Sequence, residues 1–179
     1  LAATGGAALA RQMGAANASL ALSSLRPAYR YDYLWQMERT GKYARRMAKR
    51  LPAAEPLLLR IMAALAGVSP GRADRPIHGA PHLHQWLLGD DGLALVDFDR
   101  FGLGDPELDA ATFLAEADFE DGFTGIGEAY VVGFADECPI NPRLVEAYRL
   151  HKHLAKAERL LGAVRVDAAD RALALLRQV

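Results

Sequence analysis

The chain has 179 residues, 51% of them hydrophobic, and a net charge of −1. That is enough apolar material for one ordinary domain core, and the near-neutral charge excludes a general binder of nucleic acid or other polyanions. The single cysteine, Cys138, makes no intrachain disulfide, so nothing demands an oxidising compartment and the cytoplasm is the default.

No segment reads as a membrane span. The longest apolar stretch, Leu57 to Val68, is interrupted by Arg60 and is too short to cross a bilayer. The apolar N-terminus lacks the basic flank of a secretory signal, and it opens on Leu1 rather than methionine. A further segment upstream is therefore an expectation.

Taken in chain order, Gly6 to Leu25 is rich in alanine and leucine and predicts a helix. After Pro27 comes an aromatic cluster, Tyr29, Tyr31, Tyr33 and Trp35, whose alternation fits a strand and whose neighbours fit a loop or helix entry. Glu38 to Leu51 predicts a helix with Lys42, Arg45, Arg46, Lys49 and Arg50 along one face, a stripe read as solvated. Leu57 to Leu65 predicts an apolar helix, and Ser69 to Pro76 a turn-rich loop.

The convincing β signal is a hairpin. Gln85–Leu88 and Leu93–Phe98 are short apolar runs separated by Gly89-Asp90-Asp91-Gly92. Helices follow over Glu107–Ala117, Gly125–Asp136, Pro142–Leu161 and Asp167–Arg177, with Asn141 and Asp167 as N-cap candidates. His151 and His153 fall on different faces of their helix and read as surface residues.

Chemistry concentrates between Pro76 and Leu114: HGAPHLHQ, then the hairpin, then VDFD and GDPELD. A carboxylate at a strand end, as at Asp97, is held rigidly with its head accessible, which suits Mg²⁺ ligation. This segment resembles the catalytic region of the aminoglycoside phosphotransferase and choline kinase family, whose pattern is H-G-D-x-x-x-x-N, a hairpin, I-D-F-[DEG] and G-D-P-x-x-D. The resemblance implies an α+β, mostly α fold: the C-terminal lobe of a protein-kinase-like phosphotransferase with one small β-hairpin. It divides the chain into a helical segment (1–75), the catalytic-loop and metal cassette (76–114) and a helical subdomain (115–179).

Roles follow from the resemblance residue by residue. Asp97 falls on the metal-binding aspartate, Gln85 on the asparagine that gives a second metal contact, and His78, Gly79 and His82 on the scaffold of the catalytic loop. Asp109 falls on a helix-start aspartate that braces that loop, and Ala80 on the catalytic base. The implied cofactors are Mg²⁺ and ATP or GTP. The implied partner is a small molecule bearing a hydroxyl, of aminoglycoside, choline or sugar type. In family terms Glu116, Asp118, Glu120 and Asp121 correspond to an acidic wall for a cationic substrate, while the residues alone favour a solvated acidic loop.

Three departures set this chain apart from the pattern. Ala80 removes the group that accepts the substrate proton, a contribution of about 10²–10⁴ in rate. Gln85 is one methylene longer than asparagine, a reach of roughly 1.5 Å that Mg²⁺ tolerates poorly. Residues 1–75 show neither a glycine-rich hairpin nor a strand-rich roof with a nucleotide-binding lysine, so the N-terminal lobe reads as absent here, to be supplied upstream or by a partner chain. The rival function is a non-catalytic pseudokinase serving as a binding or regulatory module.

A transition-metal cluster of His78, His82, His84, Asp97 and Asp99 is a weaker rival, because it leaves the GDP-x-x-D turn unexplained. Gly102 and Gly104 read as a turn after the metal strand, and Cys138 as a partly buried structural thiol.

Overall fold

A computed structural model describes residues 3–90, 92–120, 123, 125–163 and 165–178. The elements are α1 (Ala3–Leu22), α2 (Tyr33–Arg50), α3 (Glu55–Ala66), β1 (Arg75–Ile77), β2 (Trp86–Gly89), β3 (Gly92–Leu95), β4 (Gly102–Gly104), α4 (Pro106–Asp118), α5 (Ile126–Glu137), α6 (Pro142–Gly162) and α7 (Ala168–Leu176). The architecture is mostly helical α+β, as the sequence implies. No described helix is long and apolar enough to cross a membrane.

Helix α1 buries Ala10, Met13, Asn17, Ala18 and Ala21, one stripe at helical spacing. It lies against α5 at very close range, which glycine permits. A Cβ on Gly14 would collide with the Tyr130 carbonyl, and one on Gly133 with the Arg11 carbonyl.

Helix α2 begins five residues earlier than the sequence predicts. Asp32 is its N-cap, with Oδ1 accepting from the Leu34 amide at 2.6 Å, so Tyr33 and Trp35 are drawn into the helix. The other half of the aromatic cluster is extended instead. Tyr31 N–H donates to the Leu103 carbonyl at 2.7 Å and Leu103 N–H to the Tyr29 carbonyl at 2.8 Å. The basic stripe on α2 is exposed, with Lys42 on Glu38 at 2.7 Å and Arg46 on Glu158 at 2.9 Å.

The hairpin pairs β2 with β3 in antiparallel register, Trp86 opposite Leu95 and Gly89 opposite Gly92. The first strand starts one residue later than predicted, and the second ends three residues earlier. Gln85 belongs to a 3₁₀ turn, Leu83–Gln85, and the chain leaves β3 before Asp97, which adopts a left-handed φ of 68°. A second ladder was not foreseen. Arg75–Ile77, whose first two residues close the expected loop, pairs antiparallel with Gly102–Gly104, expected as a turn. Gly102 is needed in that strand because the Tyr31 ring occupies the place of a Cβ.

Helix α4 lies at the centre, with Leu108, Ala110, Ala111, Phe113 and Ala115 almost wholly buried. Asp105 stands at its N-cap, but its carboxylate is used elsewhere: it accepts from the Ala73 amide and from the Tyr148 hydroxyl, both at 2.7 Å. Asn141 caps α6 as expected, accepting from the Arg143 amide at 3.0 Å. Asp167 occupies the N-cap position of α7 while its side chain pairs with Arg165.

His151 and His153 correct the sequence expectation. They lie on different faces of α6, yet both are buried, because α2 covers one face and α4 the other. His151 Nδ1 meets Thr40 Oγ1 at 2.6 Å, and His153 Nε2 meets Asp118 Oδ2 at 2.9 Å. Cys138 is a buried thiol whose pKa is raised, chiefly by burial.

Candidate active site

The loop from His78 to Gln85 joins the two small sheets and is held from beneath by α4. Asp109 sits in the first turn of α4 and accepts from the His78 amide at 2.7 Å and the Gly79 amide at 2.8 Å. Two backbone donors on one buried carboxylate fix the loop's direction as it leaves β1. Burial raises the pKa of Asp109, against the opposing pull of those amides. Asn17 of α1 completes the brace, its Nδ2 donating to Asp109 at 3.3 Å and to the Tyr130 hydroxyl at 2.7 Å.

Gly79 has φ 85°, and a Cβ there would strike the Arg100 carbonyl. Only glycine turns this corner without strain. His78 is fully buried beside the edge of Phe98, and its Nε2 donates to the Val96 carbonyl at 3.0 Å. Its role in the geometry is to tie the loop to the end of β3.

Gln85 is buried and works in two directions. Its Oε1 accepts from the His82 amide at 3.2 Å, and its Nε2 donates to Asp97 Oδ2 at 2.8 Å. The exposed Asp97 carboxylate is thereby aimed from the left-handed bend after β3. His82 is half-buried with its pKa lowered, chiefly by burial. His84 is exposed and pairs with Glu120 at 3.0 Å.

These groups border one cavity of about 750 Å³. Gly79, Ala80, His82, Gln85 and Asp97 form its floor. Glu116 and Glu120 reach its edge; Asp118 does not, because Arg149 and His153 hold it on another side at 2.8 and 2.9 Å. Burial pushes the Asp118 pKa up, but hydrogen bonds from His153 and Arg149 outweigh it and leave the carboxyl below its ordinary value. Asp121 lies outside the described residues.

The opposite wall was missed by sequence reasoning. Arg39 stacks 4.6 Å over the Trp35 ring and donates to the Tyr43 hydroxyl at 2.8 Å, a cation–aromatic ladder along α2. Lys152, Lys156 and Arg159, spaced i, i+4, i+7 on α6, face the same space. The i, i+4 spacing of Trp35, Arg39 and Tyr43 was the available signal; nothing in the sequence said which side of α6 faces the loop.

Among the described residues no three His, Cys, Asp or Glu side chains converge as a metal cluster. His78 turns inward to Val96 and Phe98 and His84 outward to Glu120, which separates the histidines of the transition-metal reading.

No curated protein sequence matches the chain. Among solved structures, the choline kinase LicA from Streptococcus pneumoniae aligns with TM-score 0.64 at 15% identity, covering 97% of this chain and 64% of that one. A glucosamine kinase aligns with TM-score 0.67 at 16% identity, over 94% of this chain and 52% of that one. A choline/ethanolamine kinase family protein from Mesorhizobium loti aligns with TM-score 0.62 at 18% identity, over 96% and 61%. The chain thus spans between about half and two thirds of the length of these kinases, and the likeness establishes a kinase-like fold. Residues 3–148 also match the sequence profile of the phosphotransferase enzyme family, so the chain belongs to that family.

Proposed function

We propose that the protein transfers the terminal phosphoryl group of a nucleoside triphosphate, ATP or GTP, to a hydroxyl of a small molecule. One observation carries this reading: Asp109 grips the His78 and Gly79 amides while Gln85 aims Asp97 into the same cavity. A fixed loop beside an oriented carboxylate is what phosphoryl transfer requires, because its catalysis is mostly positioning and electrostatics.

The donor set fits Mg²⁺ at one point. Mg²⁺ is commonly held by one or two carboxylates together with substrate phosphates, and Asp97 is an exposed, oriented carboxylate. Asp97 would hold the ion, which when bound neutralises charge on the transferring phosphates. Gln85 serves here as the residue that orients Asp97; for it to ligate metal directly, its amide would have to release the His82 N–H. Ala80, on the cavity floor, offers no proton acceptor.

The choline and glucosamine kinases that share the fold suggest a small hydroxyl-bearing acceptor. Trp35, Tyr43, Glu116 and Glu120 around the cavity would suit one carrying a cationic or sugar group. The greater length of those kinases supports a further lobe covering the nucleotide. Ala80 also supports a second reading, a pseudokinase that binds ligand without turnover.

The test is direct. The complete gene product is assayed by calorimetry for ATP and GTP with Mg²⁺, and for phosphoryl transfer to choline, glucosamine, an aminoglycoside and a neutral sugar. Transfer supports the enzyme reading, and Mg²⁺-dependent binding without transfer supports the pseudokinase. Neither binding nor transfer would sink both.

A further inference from the structure

Resting on that phosphotransferase reading, we propose that Lys152 supplies the proton acceptor that Ala80 does not, receiving the proton of the acceptor hydroxyl as phosphoryl transfer proceeds. The geometry comes first. Lys152 projects from α6 into the cavity whose floor holds Ala80, Gln85 and Asp97. Along the facing side of α4, Asp109, Thr112 and Glu116 follow at i, i+3, i+7, with Asp109 gripping the loop immediately before Ala80. Lys152 lies within the electrostatic reach of Asp109 and Glu116 on that helix.

Charged residues near Lys152 pair with one another. Its neighbour Lys156 lies 3.7 Å from Glu116, and Arg46 of α2 holds Glu158 at 2.9 Å. Among the described residues no carboxylate comes within salt-bridge distance of the Lys152 amine.

The charges around it tune the amine. Arg100, from the segment after β3, and Arg159, one face along α6, disfavour the ammonium; Asp109 and Glu116 favour it. Arg39 stands on the α2 wall and His151 beside it on α6. Burial is the largest influence, and together they push the pKa down to about 8. Lys152 is half-buried, and a lysine whose pKa is pushed toward the working pH is suited to general-base work. His82 also borders the cavity, but it belongs to the loop scaffold beside Gln85.

In the step, the substrate O–H bond breaks and its proton passes to Nζ, giving the ammonium. The substrate oxygen forms a bond to the γ-phosphorus. The bond from that phosphorus to the β–γ bridging oxygen breaks, its electron pair leaving with the nucleoside diphosphate. The ammonium then returns the proton to solvent.

The experiment compares the complete protein with Lys152→Met, Lys152→Arg, Ala80→Asp and the double variant Ala80→Asp/Lys152→Met, on ATP–Mg²⁺ and the four acceptors named above. Both lysine variants should lose about 10²–10⁴ in kcat while nucleotide binding persists. Wild-type kcat/KM should rise with pH through an apparent pKa near 8. The double variant should recover activity and shift that limb to acid pH. Lys152→Arg is the sharp arm, since arginine keeps the charge but cannot accept a proton at these pH values.

An active wild type that Lys152→Met or Lys152→Arg leaves unchanged overturns the lysine role alone. So does an inactive wild type beside an active Ala80→Asp. A protein that transfers to no acceptor in either form overturns the lysine role and the phosphotransferase reading together.

Discussion

Gln85 and Asp97 are joined side chain to side chain at 2.8 Å, across the base of the β-hairpin that separates them in sequence. The amide holds a carboxylate that its own backbone presents from a left-handed bend. Asp97→Asn tests what that carboxylate is for. Asparagine tolerates the same bend and can still accept from Gln85, and the site is exposed, so stability should change by less than about 0.5 kcal/mol. Mg²⁺-dependent nucleotide binding should fall by at least tenfold in calorimetry. Unchanged binding would remove Asp97 from the site.

Asp109 is expected to be the most costly single residue of the loop. Asp109→Ala orphans the His78 and Gly79 amides, and each buried donor left unpaired costs about 1–3 kcal/mol, giving roughly 2–6 kcal/mol in urea unfolding. Hydrogen exchange should locate the damage, with protection lost at His78 and Gly79 before α5 or α6 loosens.

His151 predicts an acid-sensitive window. The Thr40 hydroxyl gives its proton to the Gln36 carbonyl at 2.9 Å, so His151 Nδ1–H is the donor to Thr40, and the ring is buried neutral. Burial, then Lys152 and Arg39, push its pKa down to about 3 from the ordinary 6.5. The unfolded chain therefore binds the extra proton first, and stability falls as pH drops from about 6.5 toward 3. The slope from this group should approach about 1.4 kcal/mol per pH unit. His151→Phe should flatten it in denaturation curves collected at several pH values; an unchanged slope would assign the acid sensitivity elsewhere.

Gly133→Ala should wedge α1 from α5. The new methyl meets the Arg11 carbonyl, a rigid backbone atom, and overpacking of that kind costs about 1–3 kcal/mol. Gly5→Ala, with nothing near its Cβ, should be neutral or slightly stabilising through helix propensity. Equal melting temperatures for the two variants would contradict the tight crossing.

Much of this organisation was legible in the residues. The helices from α4 to α7 announce themselves by proline and asparagine starts and by apolar spacing, and the hairpin by its Gly-Asp-Asp-Gly turn. Helix α2 was placed too late because Asp32, a cap, was not weighed against the strand-like aromatics beside it. The β1–β4 pair escaped because three-residue strands carry no periodicity and two of the six positions are glycine. His151 and His153 were misplaced because a helix sandwiched between partners buries polar residues that find a bond. Within the site, motif spacing located the loop, while the α2 and α6 walls depended on how helices cross, which no local pattern records.

The β1–β4 ladder joins Ile77 to Gly102, so residues 78 to 101 form a ring closed at its neck. Once that neck is paired, closure of the ring adds an entropic cost that grows only with the logarithm of its length. The helical body surrounds the ring's anchor, Asp109, without sharing its core with Ala80 or Asp97. A side chain on the ring, such as Ala80, can thus be exchanged with the helical scaffold left standing.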